Sequence, residues 1–173
     1  MGDRRRFREF ARFVGEAFPE AKAVADVAGG RGELAYRLLA LGKKPTIVDP
    51  ADRTFPGWIH REIRKRAARG GGIARIPRIH GDVRDVDLAA FDLVVAMHPD
   101  EATEPALRAA LAHGADFAVV PCCVFPLDGV RRTRAGWVEY LASLAPGIRR
   151  AELPIAGANV VLWRKRDPRL EEA

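Results

Sequence analysis

Short apolar runs alternate along this chain with stretches whose apolar positions recur at helical spacing. The first amphipathic stretch predicts a helix over 3–17, with Phe7, Phe10, Ala11 and Val14 on one side. A β-branched run at 23–28 then leads through a cluster of glycines to a second helical stretch at 32–42. Strands at 45–50, 75–82, 91–99 and 116–123 alternate with helices at 58–69, 101–114 and 132–147. Such alternation predicts an α/β sheet covered by helices on both faces. Two last runs, 148–155 and 158–165, are joined by "AGAN", too short for a helical crossover, so they must be antiparallel neighbours. Neither a repeat nor a linker interrupts the pattern, and the 173 residues read as one domain with a loose tail after 166.

Composition narrows the class. Hydrophobic residues make up 48% and charged ones 30%, which suits a packed globule. No apolar run approaches the roughly 20 residues that span a bilayer, and the basic start lacks the apolar stretch of a signal peptide. A cytoplasmic protein is expected. The two cysteines, Cys122 and Cys123, are adjacent. Neighbours rarely form a relaxed disulfide, and two ligands alone do not make a zinc site, so no metal is expected and free thiols fit a reducing compartment.

The chemistry gathers in "AVADVAGGRGELAYRLLALGKKPTIVDP", residues 23–50. Glycine-rich strand-to-helix turns usually hold a nucleotide. The spacing here is D-x-A-x-G-x-G, formed by Asp26, Ala28, Gly30 and Gly32, with Gly29 in addition. In a dinucleotide site the helix N-terminus meets a pyrophosphate, and Asp26 at the end of the first strand would repel it in a low-dielectric cleft. S-adenosylmethionine reverses that sign, because its ammonium and its sulfonium are both cationic. Glycines then permit close backbone approach with no phosphate to cradle. Asp49, about twenty residues on, suits two ribose hydroxyls whichever nucleotide is bound. Asp82, in "HGDV", stands where it can accept from an adenine amino group, with Val83 beside it. Each acid can also serve as a helix N-cap or turn residue.

These segments resemble the class I S-adenosylmethionine-dependent methyltransferases. "DVAGGRGELA", "IVDP" and "HGDV" are similar to the family's first three motifs, and the resemblance runs from Val24 through Arg164. It implies a Rossmann-like, mostly parallel seven-stranded sheet of order 3-2-1-4-5-7-6, closed by an antiparallel terminal hairpin. It implies S-adenosylmethionine as cofactor, held by Asp26, Ala28, Gly29, Gly30, Gly32, Asp49, Asp82, Val83 and Met97. The departure is Ala28, where the first glycine usually stands; alanine is well tolerated there if its φ is negative.

The acceptor should meet the methyl group above the ends of strands four and five, at "MHPDEATEP" and "VVPCCVFPLDG". In many amino-directed methyltransferases strand four ends in D/N-P-P-Y/F; here Met97, His98, Pro99 and Asp100 take that place. His98 can accept a proton from the nucleophile. Asp100 can orient the imidazole or substrate, or cap the next helix with Glu101 and Glu104 favouring its N-terminus. Cys122 or Cys123 can act as a thiolate of the kind that pyrimidine C5-methyltransferases use, or can be small residues at a strand end. The pairing of "HPDEAT" with "VPCCVFP" also resembles a group of uncharacterised methyltransferase-like proteins, similar in arrangement to tRNA 2′-O-methyltransferases with an H-x-C-G turn after strand four and a Cys-Cys pair after strand five. The C-G of that turn is missing here.

Charge suggests the partner. Net charge is +6, with 29 Lys and Arg against 23 Asp and Glu. Arg61, Arg64, Lys65, Arg66 and Arg69, with Arg4, Arg5 and Arg6, can track a phosphate backbone, or can be a solvated surface. Phe55 and Trp58 can stack on a base, or close over adenosine or core. Arg131, Arg132 and Arg134 lie nearer the expected chemistry and suit substrate phosphate, with Pro99 and Cys122 beside them. The reading is methyl transfer from S-adenosylmethionine to a nucleophile, most naturally on RNA. The alternatives are a non-catalytic module of the same fold that binds RNA or protein, and a nicotinamide-dependent oxidoreductase, which Asp26 and the terminal hairpin disfavour.

Overall fold

A computed structural model describes residues 3–70 and 75–166. The tail after 166 and the last two residues of the glycine break at 70–72 lie outside them. Helix α1 (Arg6–Ala17) precedes β1 (Ala23–Val27), α2 (Glu33–Ala40), β2 (Lys44–Val48) and α3 (Gly57–Ala68). Then come β3 (Arg78–Ile79), β4 (Leu93–Met97), α4 (Thr103–Ala112), β5 (Asp116–Val120) and α5 (Arg134–Ala142), and the chain closes with β6 (Arg149–Glu152) and β7 (Val160–Arg164).

The seven strands order as β3-β2-β1-β4-β5-β7-β6. Pairing is parallel from β3 to β5, and β7 runs antiparallel to both β5 and β6. The two last strands are shorter than their runs, and the connection over 153–159 that contains "AGAN" is still too short for a helical crossover, so the reversal is enforced and a dehydrogenase-type sixth parallel strand is excluded. The sheet, its order and the terminal hairpin match the sequence reading. The third strand does not reach its expected length. Pro77 has no N–H to donate, so ladder pairing is confined to Arg78 and Ile79, and Ile47 bonds instead to the Pro77 carbonyl. Likewise the helix expected at 132–147 begins only after Thr133, whose hydroxyl accepts from Gly136 N–H and caps it.

Alternation along the strands divides the core. On β4, Leu93, Val95 and Met97 face α1 and α2, packing with Phe10, Val14, Phe18, Leu34 and Leu38. Val94 and Ala96 face the other way, toward Leu107 and Ala110 of α4 and Trp137 and Leu141 of α5. A smaller cluster joins Ile59 and Ile63 of α3 to Ile47 and Leu39. With both faces covered, the central strands read as continuous apolar runs. Among the described residues no helix is long and apolar enough to cross a membrane.

Helix α1 belongs to this core rather than to a detachable arm, because Phe10 is fully buried. Phe10→Ala should therefore destabilise the fold by about 3–5 kcal/mol, read as a lowered urea midpoint; an unchanged midpoint would show that α1 contributes nothing to the domain.

Candidate functional site

β1 and β4 lie side by side, and the carboxyl ends of the strands open into one cleft of about 1140 Å³. Its floor is the β1–α2 turn. Ala28, Gly30 and Gly32 all have left-handed backbones, with φ of 53°, 53° and 75°. Ala28 does not meet the condition under which alanine is well tolerated there: its φ is positive, the conformation in which a Cβ crowds the following carbonyl. Its N–H donates to the Val48 carbonyl at 2.8 Å, so pairing with β2 holds it there. Gly32 opens α2, and a Cβ on it would overlap the Phe55 ring and lie 2.9 Å from Ile47 Cδ1. Gly29 packs so closely over Asp26 that a Cβ would sit 2.7 Å from Oδ2.

Asp26 is 1% exposed yet lines the cleft, and its Oδ2 accepts from Ala35 N–H in α2 at 3.1 Å. Burial pushes its pKa up to about 7, and the neighbouring charge of Asp49 adds to the rise; the Ala35 bond and Arg78 oppose it. Asp49 is 7% exposed. One of its oxygens accepts from Gly30 N–H and the other from Ala51 N–H, each at 2.8 Å. A carboxylate oxygen has two acceptor sites, so both keep capacity for a ribose hydroxyl. Asp82 lines the cleft at the start of the 3₁₀ turn Val83–Asp85. It accepts from Arg84 N–H and is clasped by the Arg84 guanidinium at 2.8 and 2.6 Å, which holds its pKa down at about 2. The turn-capping role is therefore filled, with the carboxylate still at the cleft wall. Val83 and Met97 are buried and line the same cleft.

Just beyond β4, His98 has φ of 56° and turns its ring back toward the β6–β7 connection. Nε2 lies 2.8 Å from the Ala158 carbonyl. A carbonyl only accepts, so Nε2 carries the hydrogen and Nδ1 the lone pair. Burial lowers the imidazole pKa, with Arg6 and Arg134 adding to the fall and the Ala158 bond and Asp100 opposing it. Pro99 is buried against the cleft.

Asp100 corrects one expectation. It does not cap α4: Ala102 holds the N-cap position, without a side-chain bond, and Asp100 begins the 3₁₀ turn Asp100–Ala102. Its own φ of 48° swings the carboxylate across the end of the sheet, where Oδ1 accepts from Cys122 Sγ at 3.1 Å. The thiols gain nothing as nucleophiles from this. Burial and the Asp100 bond push Cys122 up to about 12, and the same carboxylate raises the exposed Cys123. An activated thiolate needs a cationic neighbourhood; here Asp100 faces both thiols, and Arg134 opposes it at Cys123.

The three arginines expected to meet substrate phosphate have separate surroundings. Arg131 is exposed at the cleft. Arg132 is engaged: it grips Asp128 at 2.7 and 2.5 Å and stacks 3.8 Å from the centre of the Tyr140 ring. Arg134 lines a second hollow of about 480 Å³ with Asn159 and Val160. On α3, Arg61, Arg64 and Lys65 are exposed, as is Arg69 just beyond it, while Lys65 pairs with Glu62. Phe55 packs into the small cluster beneath Gly32, and Trp58 meets Tyr36 edge-on, so neither aromatic stands free in the cleft.

Two features escaped the sequence. Exposed Phe125 and Leu127 form an apolar flap on the cleft rim. Behind it Glu104 is fully buried, accepting from Leu127 N–H, Tyr140 O–H and Arg108 Nε at 3.0, 2.8 and 2.8 Å. The four-residue spacing of Glu104 and Arg108 was a visible pairing signal; the links to Leu127 and Tyr140 are tertiary.

No family model and no curated protein sequence matches the chain. Solved structures do. A Corynebacterium glutamicum protein superposes with a TM-score of 0.57 at 16% identity, covering 96% of this chain and 83% of that one. The S-adenosylmethionine-dependent methyltransferase SibL, in its apo form, gives 0.57 at 17% identity over 94% of this chain and 55% of SibL. An RNA methyltransferase from Salinibacter ruber, in complex with S-adenosyl-L-homocysteine, gives 0.54 at 12%, covering 92% and 91%. At these identities the likeness is one of fold: the chain has the Rossmann-like fold of class I methyltransferases.

Strain in the floor loop gives a signed test. Ala28→Gly should raise stability by about 0.5–1 kcal/mol, because the relief of the left-handed alanine exceeds the added unfolded-state freedom. Gly32→Ala should lower it by at least about 2 kcal/mol through strain and overlap. Thermal melts of both variants check the pair; equal shifts would contradict the loop geometry.

Proposed function

We propose that this protein is an S-adenosylmethionine-dependent methyltransferase acting directly on a nucleophile of RNA. One observation carries the reading: a buried acid and a glycine loop tied to a second acid share the floor of one cleft, a setting that favours a cationic nucleoside and disfavours a diphosphate. Asp26 would balance the ligand's positive charge. Asp49 would hold the ribose, and Met97 and Val83 would contact its apolar parts. When bound, the cofactor supplies an electrophilic methyl group on a sulfonium. The protein's share is then positioning and the removal of one proton. His98 is fixed by Ala158 with Nδ1 as its acceptor, and it would take that proton. The flap at Phe125 and Leu127 would shield the site from water. Arg131, together with the exposed arginines of α3, supports a polyanionic acceptor.

A second reading, a binding module of the same fold without activity, draws support from Asp100, whose carboxylate is committed to Cys122 rather than free for an acceptor. The two readings separate when labelled methyl groups from S-adenosylmethionine are offered to RNA, protein and small-molecule pools from cells lacking this protein. Label in RNA, lost in His98→Ala, is the expected result. Label confined to another pool would overturn the RNA assignment, and label in none would favour the module.

Cofactor binding should depend on pH through Asp26. A cation favours the ionised carboxyl, so affinity should climb by up to about tenfold per pH unit below the raised pKa of about 7 and flatten above it. In the free protein the same rise opposes folding, so this group makes stability fall as pH increases from about 4 to about 7. Asp26→Asn should weaken binding and remove both slopes. Calorimetry at pH 5.5 to 7.5 decides; tighter binding of NADH than of S-adenosylmethionine would sink the cofactor assignment.

A further inference from the structure

The cluster at the acceptor end fits a metal ion. Asp100, Cys122 and Cys123 each offer one ligand atom, and these atoms all lie within 4.8 Å of one another. Two cysteines in succession on a strand would point to opposite faces. Here β5 ends at Val120, Pro121 stops pairing, and both thiols fall on the same side of the turn, against one carboxylate. The left-handed Asp100 completes the group by turning its side chain away from α4.

We propose that Asp100, Cys122 and Cys123 bind one thiophilic divalent cation of the zinc class. Zinc takes thiolate sulfur at about 2.3 Å and carboxylate oxygen at about 2.0–2.2 Å, which for a tetrahedral ion places the ligand atoms roughly 3.5–3.8 Å apart. Asp100 Oδ1 and Cys122 Sγ, 3.1 Å apart, would separate slightly to admit the ion, while all the ligand atoms already lie within 4.8 Å of one another. Three protein ligands leave a fourth position for water or another ligand, and of the three Asp100 lines the cleft. Asp100 and Cys123 are exposed, which gives the ion an entry path. On ligation each thiol forms a metal–sulfur bond and releases its proton to solvent, while the ion gives up bound water. The ion would also cross-link the turns after β4 and β5, which Asp100 already joins through the two thiols. The inference does not depend on methyl transfer.

The test uses the reduced, metal-stripped full chain titrated anaerobically with Co²⁺. One equivalent should produce thiolate-to-cobalt charge-transfer absorption with the visible bands of a tetrahedral ion, and one equivalent of Zn²⁺ should remove both. Cys122→Ser and Cys123→Ser should each abolish the stoichiometric charge-transfer signal, with circular dichroism confirming the fold. Asp100→Asn should weaken binding by at least about tenfold while keeping the thiolate bands. No charge-transfer absorption in the parent, or undiminished affinity in Asp100→Asn, would overturn the site.

Discussion

At the end of β1 a carboxylate is held almost out of water, with one oxygen on the Ala35 amide of α2 and Gly29 pressed over it. Such a group is costly to leave charged and unpaired, and its raised pKa records that cost. The floor of the cleft is arranged around it. Gly30 leans on Asp49, whose charge lies near enough to raise Asp26 further. Arg78 supplies the opposing charge and ties the loop down by donating to the carbonyls of Gly30 and Arg53. Positive charge brought onto this floor would offset the two carboxylates, whereas phosphate would add to their repulsion.

The opposite wall is built from tension rather than from charge. His98 and Asp100, two residues apart, both adopt left-handed backbones without the freedom of glycine. Each conformation is held by a tertiary bond: the imidazole to Ala158 in the terminal hairpin, the carboxylate to Cys122 beyond β5. Strain of this kind persists where surroundings over-determine it, and such places tend to be functional. Glu104 extends the same wall. Its bond to Leu127 N–H fixes the base of the apolar flap, so the shape of the cleft rim depends on a buried acid that never enters it.

Much of the architecture was readable in the chain. Parallel strands buried on both faces must be continuous apolar runs, amphipathic helices must show their period, and the four residues of "AGAN" allow only a hairpin. Asp26, Asp49 and Asp82 were recognisable because strand ends recur at the same edge of an open sheet. Errors arose where a local rule met a tertiary competitor. Ala28 was well tolerated only on condition of a negative φ, and its N–H bond to the Val48 carbonyl holds it at a positive one. Asp100 had the usual credentials of a helix cap, and the thiol of Cys122 drew it elsewhere. Arg132 lines the cleft as expected of it, with its guanidinium held by Asp128 and Tyr140.

The sequence by itself therefore determined the sheet, its terminal reversal and the acids along its carboxyl edge, because periodicity and turn length act over short spans of chain. Only the tertiary structure decided how those side chains are spent: which way His98 and Asp100 turn, that two cysteines and a carboxylate meet, and that Glu104 braces the flap. These outcomes rest on contacts between segments 22 to 60 residues apart. Their energies depend on burial and geometry that no local pattern encodes.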